Sequence, residues 1–234
     1  MPELIVDHIS RNEKERVVLH DINFSMQKGE KIGLMGETGS GKTTLLKIIA
    51  GLIQPSTGKV VFQDKRVKGP DEVLLPGHPP IGYLSQHFEL LNNYYVEEIL
   101  DMHNKNSDEA AQTIYQLCKI DHLMRRRTNE ISGGERQRIS LAKTLIGNPS
   151  LLLLDEPFSN LDGINKKIIH QVLENIFKEQ LFTCIMVSHN PDEILSWADR
   201  LMVLKEGHLI QMDETQAVQQ NPANAYVAQI IGKV

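Results

Sequence analysis

The residues with the most definite chemistry form a glycine-rich loop suited to holding phosphate groups. Its sequence is Gly36-Glu37-Thr38-Gly39-Ser40-Gly41-Lys42-Thr43, which fits the pattern G-x-x-x-x-G-K-[ST] and is continued by Thr44. The glycines allow backbone N–H groups to turn toward an anion, and a helix beginning near Lys42 would add the positive end of its dipole. Lys42 is expected to reach the β- and γ-phosphates of a nucleotide, and the Thr43 hydroxyl to coordinate Mg²⁺.

Two adjacent carboxylates form a second candidate site, directly after the apolar run Leu151–Leu154. A continuous apolar run bounded by turn residues is typical of a strand in a covered parallel sheet, whose carboxyl end is where ligands bind. We expect Asp155 to join the Mg²⁺ coordination and Glu156 to orient and deprotonate an attacking water as a general base. A carboxylate that caps a neighbouring helix is the alternative interpretation.

The segments around these residues have the patterns of strands and helices that would position them. Residues 31–35 are typical of a buried strand, and the following helix is indicated by apolar residues on one face, namely Leu45, Ile48, Ile49 and Leu52. Short alternating strands at 4–6, 17–19 and 22–24 predict an antiparallel flank, which residues 60–62 would extend.

The middle of the chain changes character and becomes helical. Between Gln86 and Ser132 the helical apolar positions are Val96, Ile99, Leu100, Ala110, Ile114, Leu117 and Leu123. Residues 68–80 form a proline-rich loop with no assigned role. With 234 residues, of which 41% are hydrophobic, the chain fits one α/β domain or one domain with a small satellite.

The peptide Ile131-Ser132-Gly133-Gly134-Glu135 carries a resemblance to a known family. Ser132 and Glu135 have capping-box spacing and predict a helix that ends near Gly147. The peptide resembles the L-S-G-G-Q signature of the ATP-binding-cassette (ABC) family, with Ile and Glu in place of Leu and Gln. The family's signature closes over the γ-phosphate held by another subunit. The resemblance therefore implies that Ser132, Gly133 and Gly134 contact ATP bound to a second copy.

Further residues match family motifs at the ends of predicted strands. Gln86 matches the glutamine loop, which touches metal and water and faces the transport partner, and His189 matches the switch histidine that contacts the γ-phosphate. Asp162 matches the loop that signals across the dimer. The resemblance thus implies a catalytic set of Lys42, Glu156 and His189. Its implied metal ligands are Thr43, Gln86 and Asp155.

The family's fold gives an expectation for the whole chain. It is an α/β fold with a P-loop NTPase (RecA-like) core, an antiparallel β flank and an inserted α-helical subdomain. Residues 1–234 would form one ABC ATPase domain, with the nucleotide-binding core in 1–86 and 131–234 and the helical subdomain in about 87–130.

The resemblance also implies an activity and partners. The chain would hydrolyse ATP to ADP and phosphate with Mg²⁺, as the ATPase subunit of a membrane transporter. Its partners would be a second ATPase subunit, identical or paralogous, a separate transmembrane permease and, for an importer, a solute-binding protein. Residues 221–228 resemble the end of the cassette in importer ATPases. The alternative is a soluble family member acting on ribosomes or in DNA repair, which usually has two cassettes or a coiled-coil insertion.

Composition narrows the classes of partner. The net charge is −5, and the only cationic cluster, Arg125–Arg127, is interpreted as a solvated helix end, so no nucleic acid is expected. The sequence has no uninterrupted apolar run of membrane-spanning length and no signal pattern. We expect a cytoplasmic protein, peripheral on the inner face of the membrane through its permease. Cys118 and Cys184 are expected to be reduced core thiols.

One departure from the family concerns the nucleotide base. An aromatic side chain upstream of the phosphate loop stacks on adenine in the family, but the aligned position falls near Glu13 and no aromatic residue precedes Phe24. Either His8 or His20 substitutes for it, or the base is held loosely while phosphate contacts supply most of the affinity. The preference between ATP and GTP is open.

Overall fold

The computed structural model describes residues 1–14, 16–159, 161–179 and 182–233, except for the side chains of 178 and 179. The described strands are β1 (Leu4–Glu13), β2 (Arg16–Met26), β3 (Lys31–Met35), β4 (Thr57–Phe62), β5 (Lys65–Arg66), β6 (Ile81–Leu84), β7 (Leu151–Asp155), β8 (Thr183–Val187), β9 (Arg200–Lys205) and β10 (His208–Glu214). The described α-helices are α1 (Lys42–Ile49), α2 (Val96–His103), α3 (Asp108–Leu117), α4 (Gly133–Ile146), α5 (Gly163–Glu179), α6 (Pro191–Leu195), α7 (Thr215–Gln220) and α8 (Ala225–Ile230).

The larger sheet places β3 between strands that come much later in the chain. Its strand order is β10-β9-β3-β8-β7-β6. All neighbouring pairs from β9 to β6 are parallel, and only β10 runs antiparallel, beside β9. Because β3, β8, β7 and β6 are parallel neighbours, their carboxyl ends meet at one edge of the sheet. The segments that follow these four strands contain most of the predicted site residues.

Two apolar cores lie on opposite faces of this sheet, as the alternation along β7 shows. Leu151 and Leu153 belong to the core shared with α1 and the antiparallel strands, whereas Leu152 and Leu154 belong to the core shared with α2, α4 and α5. Every residue of β7 is buried. A strand covered on both faces is a rigid support for the carboxylates at its end. The predicted α/β P-loop architecture is confirmed.

The antiparallel flank exists but its strands are longer than the sequence predicts. It is a four-stranded sheet in the order β2-β1-β4-β5. Residues 17–19 and 22–24, predicted as separate strands, both belong to β2, so that division is wrong. The polar pair between them is accommodated because the β1–β2 register shifts repeatedly, with His8 and Asp21 at positive φ values of 51° and 49°.

Residues 87–130 contain α2, α3 and a 3₁₀ turn at Asp121–Leu123, and within the described part of the chain this stretch adds no strand to either sheet. The interpretation of Arg125–Arg127 as a solvated helix end is confirmed in part, because Arg125 and Arg126 are exposed and follow a 3₁₀ turn rather than an α-helix. The segment follows the 3₁₀ turn, and the Arg127 guanidinium lies 4.7 Å from the Tyr95 ring centroid.

No helix among the described residues is long and apolar enough to cross a membrane.

Candidate functional site

The glycine-rich loop connects β3 to α1, as its sequence predicts. Gly41 is the N-terminal cap of α1 at a φ of 101°, in the left-handed region that favours glycine. Gly36 has a φ of 148°, and a Cβ there would lie 2.2 Å from the carbonyl oxygen of Leu204. Both positions therefore require glycine: Gly41 for its backbone conformation, and Gly36 for the close approach of β9 as well.

The Lys42 side chain is buried against the backbone of the glycine-rich loop. Its ammonium group donates to the carbonyl oxygens of Gly36 and Glu37, each at 2.8 Å. Burial lowers the pKa of Lys42, and the nearby carboxylates of Glu156 and Asp155 oppose that shift. A phosphate oxygen that enters the loop would offer this cation a charged acceptor in place of neutral carbonyls, which strengthens the hydrogen bond.

Asp155 is held by two hydroxyl groups at the end of β7. Thr43 Oγ1 donates to Asp155 Oδ1 at 3.2 Å, and Tyr83 Oη donates to Asp155 Oδ2 at 3.0 Å. Burial and the Asp155 charge raise the pKa of Tyr83, so its phenol stays a donor at physiological pH. Sequence reasoning missed Tyr83. Its register opposite Leu153, on the strand beside β7, is the structural signal that identifies it.

Glu156 lies between the other predicted catalytic groups. His189 Nε2 lies 2.5 Å from Glu156 Oε1, and Gln86 Nε2 donates to Glu156 Oε2 at 3.2 Å. The backbone of Glu156 adopts a φ of 52°, which is uncommon for a residue with a side chain. Its N–H donates to the carbonyl of Val187 on β8, which holds this turn in place. Strained backbone held by surrounding contacts is frequent at functional sites.

These groups face a cavity of about 580 Å³. The predicted site residues on its wall are Thr38, Gly39, Gly41, Lys42, Thr43, Thr44, Gln86, Glu156 and His189. Gly36, Glu37 and Ser40 belong to the same loop, and Asp155 is joined to it through Thr43. The rest of the wall is formed by Glu13, Lys14, Arg16 and Val18.

The signature residues are not on the wall of this cavity. Ser132 and Gly133 are exposed, and Ser132 is the predicted N-cap of α4, with its Oγ accepting from the Glu135 N–H at 3.3 Å. A Cβ on Gly134 would lie 2.5 Å from the Asn165 side chain, which donates to Asp162 Oδ2 at 2.9 Å. The start of α4 therefore packs near Asp162 in the same chain, while both stay apart from the phosphate loop's cavity.

A buried carboxylate supports the turn that carries His189, and sequence reasoning did not identify it. Glu193 Oε2 accepts from Ser188 Oγ at 2.5 Å, and Oε1 accepts from Asn190 Nδ2 at 3.3 Å. The ammonium of Lys166, on α5, lies 2.5 Å from the same Oε1. These contacts hold both neighbours of His189 and connect them to the helix that follows Asp162.

The C-terminal helix α8 also reaches the phosphate loop. Tyr226 Oη accepts a hydrogen bond from the Glu37 N–H at 3.1 Å and donates to the Leu204 carbonyl at 3.1 Å. The Lys205 ammonium lies 4.7 Å from the Tyr226 ring centroid. Tyr226 thus fixes the beginning of the loop to β9. This contact cannot be predicted from local sequence, because the two residues lie far apart in the chain.

Comparisons with known proteins agree with this geometry. Residues 19–159 match the family model described as ABC transporter. The chain is 34% identical to a glucose import ATP-binding protein of Saccharolobus solfataricus, over 100% of this chain and 69% of that protein. It is 36% identical to an Fe(3+) ions import ATP-binding protein of Haemophilus influenzae, over 99% and 67% respectively.

Solved structures give the same result for the fold. A Clostridium perfringens protein that is part of the cbiONQ ABC transporter complex matches with a TM-score of 0.76 and 26% identity, over 94% of this chain and 91% of that one. A dimeric ATP-binding cassette in a post-hydrolysis state with ADP and Pi matches with a TM-score of 0.78 and 24% identity, over 91% and 98%. The chain belongs to the ABC transporter family, as one of its ATP-binding and ATP-hydrolysing subunits.

Proposed function

We propose that the cavity beside the phosphate loop is where this ATPase hydrolyses ATP, with Glu156 as the general base. The observation that carries the proposal is the meeting of Lys42, Gln86, Glu156 and His189 at one edge of the sheet, on one cavity wall. Cationic and N–H groups of the loop face the phosphates, while Glu156 offers a carboxylate oxygen to water. These are the parts that phosphoryl transfer to water requires.

The proposed reaction is a displacement at the γ-phosphorus. Glu156 accepts a proton from the attacking water while the water oxygen bonds to the γ-phosphorus. The bond from that phosphorus to the bridging oxygen breaks, ADP leaves with the electron pair, and the proton passes on to the products. His189 and Gln86, which contact the two oxygens of Glu156, orient this carboxylate. Lys42 stabilises the negative charge on the phosphates.

The residues present fit a Mg²⁺ ion that takes most of its ligands from nucleotide and water. Thr43 and Asp155 place two oxygen donors 3.2 Å apart beside the loop, and the amide oxygen of Gln86 is the third protein ligand that we propose. The described residues contain no group of three His, Cys, Asp or Glu side chains that could hold a metal alone. When bound, Mg²⁺ neutralises charge on the β- and γ-phosphates.

We further propose that two copies, or this chain and a paralogue, close around two nucleotides. Ser132, Gly133 and Gly134 lie at the exposed, positive N-terminus of α4 but away from their own phosphate loop's cavity. The N-terminus of α4 is suited to binding an anion but lies away from the nucleotide cavity of its own chain. A nucleotide bound to a second chain would supply that anion. In this arrangement Asp162, which packs beside the start of α4 through Asn165, also lies at the dimer interface.

The partner that we propose on the membrane side is a separate permease. A second cavity, of about 680 Å³, shares Thr43, Gln86 and Asp155 with the nucleotide site and has apolar walls that include Leu52, Ile53, Leu90 and Leu91. A permease segment seated there would contact Gln86 directly and so sense the nucleotide.

Because the relatives compared above are named import ATP-binding proteins, we propose solute import, with a solute-binding protein as a further partner. The helical subdomain of residues 87–130 is proposed to form one side of this cavity, and the complex would lie on the inner face of the membrane.

The Glu156→Gln variant tests the proposed site. The amide keeps the size of the side chain but does not accept the water proton, so we expect kcat to fall by about 10²- to 10⁴-fold with ATP affinity retained. The matched control is Glu109→Gln on α3, an exposed glutamate outside both cavities, which should leave kcat unchanged. A Glu156→Gln protein that turns over ATP at the wild-type rate would refute the assignment.

A further inference from the structure

The peptide unit that joins Gly36 to Glu37, at the beginning of the phosphate loop, is held at both of its polar groups. Its carbonyl oxygen, on Gly36, accepts a hydrogen bond from the Lys42 ammonium at 2.8 Å. Its N–H, on Glu37, donates to Tyr226 Oη at 3.1 Å. The carbonyl and N–H of a planar trans peptide point in opposite directions. Lys42 and Tyr226 therefore lie on opposite sides of this peptide unit and fix its orientation together.

The Tyr226 phenol accepts one hydrogen bond and donates another. Burial raises the pKa of Tyr226, so the phenol stays protonated at neutral pH. Its proton is donated to the Leu204 carbonyl at 3.1 Å, which leaves an oxygen lone pair for the Glu37 N–H. A phenylalanine ring would fill the same space but make neither bond. The contact with the loop therefore depends on the hydroxyl rather than on the ring.

Neighbouring contacts fix the position of Tyr226 on α8. The side chain of Asn224 caps the N-terminus of this helix. On β10, Gln211 Nε2 donates to the Asn221 carbonyl at 3.1 Å, and its Oε1 accepts from the Ala223 N–H at 2.8 Å. Both ends of one amide thus tie the segment before α8 to the larger sheet. The hydroxyl of Tyr226 reaches the loop from a helix that is held in place.

This arrangement prepares the loop for a phosphate group. Lys42 is placed in part by the peptide unit that Tyr226 orients. Without the phenol, the Glu37 N–H loses its partner, and the peptide unit is free to turn its carbonyl away from the ammonium. Phosphate binding then has to order the loop, and the cost of ordering is taken from the affinity.

We propose that Tyr226 is a positioning residue for the nucleotide phosphates, acting through the Gly36–Glu37 peptide unit and Lys42. The inference rests on the proposed nucleotide site. Tyr226 does not line the nucleotide cavity as the described residues form it, so its effect on a phosphate is exerted through the loop. We expect the effect on binding rather than on the chemical step, because Glu156 is held by separate contacts.

Calorimetry with the full chain tests this role. The probe is Mg²⁺-ADP, which brings phosphates to the loop without being turned over. We expect Tyr226→Phe to bind it about 3- to 10-fold more weakly than the wild type, as for the loss of one hydrogen bond. In ATPase assays the change should appear in KM more than in kcat. The matched control is Tyr94→Phe, which removes a hydroxyl from a side chain that is 40% exposed, and it should bind as the wild type does.

The results separate the inference from the proposed function. Equal affinity of Tyr226→Phe and wild type, or a fall in kcat with KM unchanged, would overturn the positioning role and leave the nucleotide site in place. A wild-type protein that binds no Mg²⁺-ADP would instead count against the proposed function.

Two loop variants test whether the effect passes through the Glu37 N–H. Glu37→Pro removes this N–H, and Glu37 is not among the described residues with a positive φ, which proline cannot adopt. Glu37→Ala is the matched control, because it loses the same side chain but keeps the N–H. We expect Tyr226→Phe to weaken Mg²⁺-ADP binding in the Ala background and to change it by less than about twofold in the Pro background. An equal loss in both backgrounds would show that Tyr226 acts by another route, and the inference would fail.

Discussion

The ion pair between Lys166 and Glu193 gives a prediction that couples stability to catalysis. Glu193 has 7% of its side chain exposed and Lys166 has 37%, and their charged atoms lie 2.5 Å apart. Lys166→Met removes the cation and leaves a buried carboxylate whose remaining donors among the described residues, Ser188 and Asn190, are neutral. Loss of one partner from a fully buried pair costs about 3–5 kcal/mol. Because water reaches Lys166 and screens the pair, we expect a smaller loss of about 1–3 kcal/mol in the free energy of unfolding.

The same variant should slow turnover. Glu193 holds Ser188 and Asn190, the neighbours of His189, so a shift of this carboxylate toward water displaces the histidine from Glu156. We expect kcat to fall with little change in KM, since the phosphate loop is untouched.

Urea unfolding and ATPase assays on four variants, Lys166→Met, Glu193→Gln, their double variant and a control, separate these effects. The double variant Lys166→Met/Glu193→Gln replaces the buried charge with an amide and should recover most of the lost stability. Lys167→Met, at the next position on α5 and exposed, is the matched control and should behave as wild type. If the losses from Lys166→Met and Glu193→Gln simply add in the double variant, within about 0.5 kcal/mol, the two side chains are not coupled and the reasoning is refuted.

Three other predictions concern single sites. Lys42→Ala should weaken ATP binding as well as catalysis because it removes the charge that faces the phosphates; unchanged affinity by calorimetry would place the phosphate site elsewhere. Ser132→Arg should abolish hydrolysis but keep nucleotide binding by the monomer. A mixture of the Ser132→Arg and Lys42→Ala proteins should regain partial activity, because their heterodimers have one intact site. If the unmodified protein stays monomeric with ATP and its specific activity does not depend on concentration, the two-chain mechanism is excluded. Burial raises the pKa of the Cys118 thiol to about 12 and also raises the pKa of the Cys184 thiol. Both should resist alkylation at pH 8 until urea unfolds the chain, and rapid labelling of the native protein would contradict their burial.

The parts of the fold that local sequence determines were predictable. The strand, loop and helix around Lys42 follow from an apolar run, spaced glycines and helical periodicity within a short segment. The start of α4 at Ser132 follows from a capping box, because both partners of that box lie within one turn.

Contacts between distant segments were not predictable in the same way. Tyr83 and Tyr226 act on Asp155 and the phosphate loop through the packing of strands and helices far apart in sequence. Glu193 lies close in sequence to the His189 turn, but its ion pair with Lys166 joins distant segments. A single tyrosine on a strand has the same local pattern whether its hydroxyl meets a carboxylate or water. The misplaced break in β2 has a related cause, because its bulged pairing with β1 carries polar residues that locally resemble a turn.

The position of β3 in the sheet has a consequence for how the protein is made. The phosphate loop emerges early from the ribosome, yet both sheet neighbours of β3 come later, in Thr183–Val187 and Arg200–Lys205. Tyr226, which fixes Glu37, is 189 positions away. At about 5–20 residues per second of synthesis, the loop waits on the order of 10 seconds for these neighbours. We therefore expect nascent chains to bind ATP at this loop less tightly than molecules whose synthesis has passed α8.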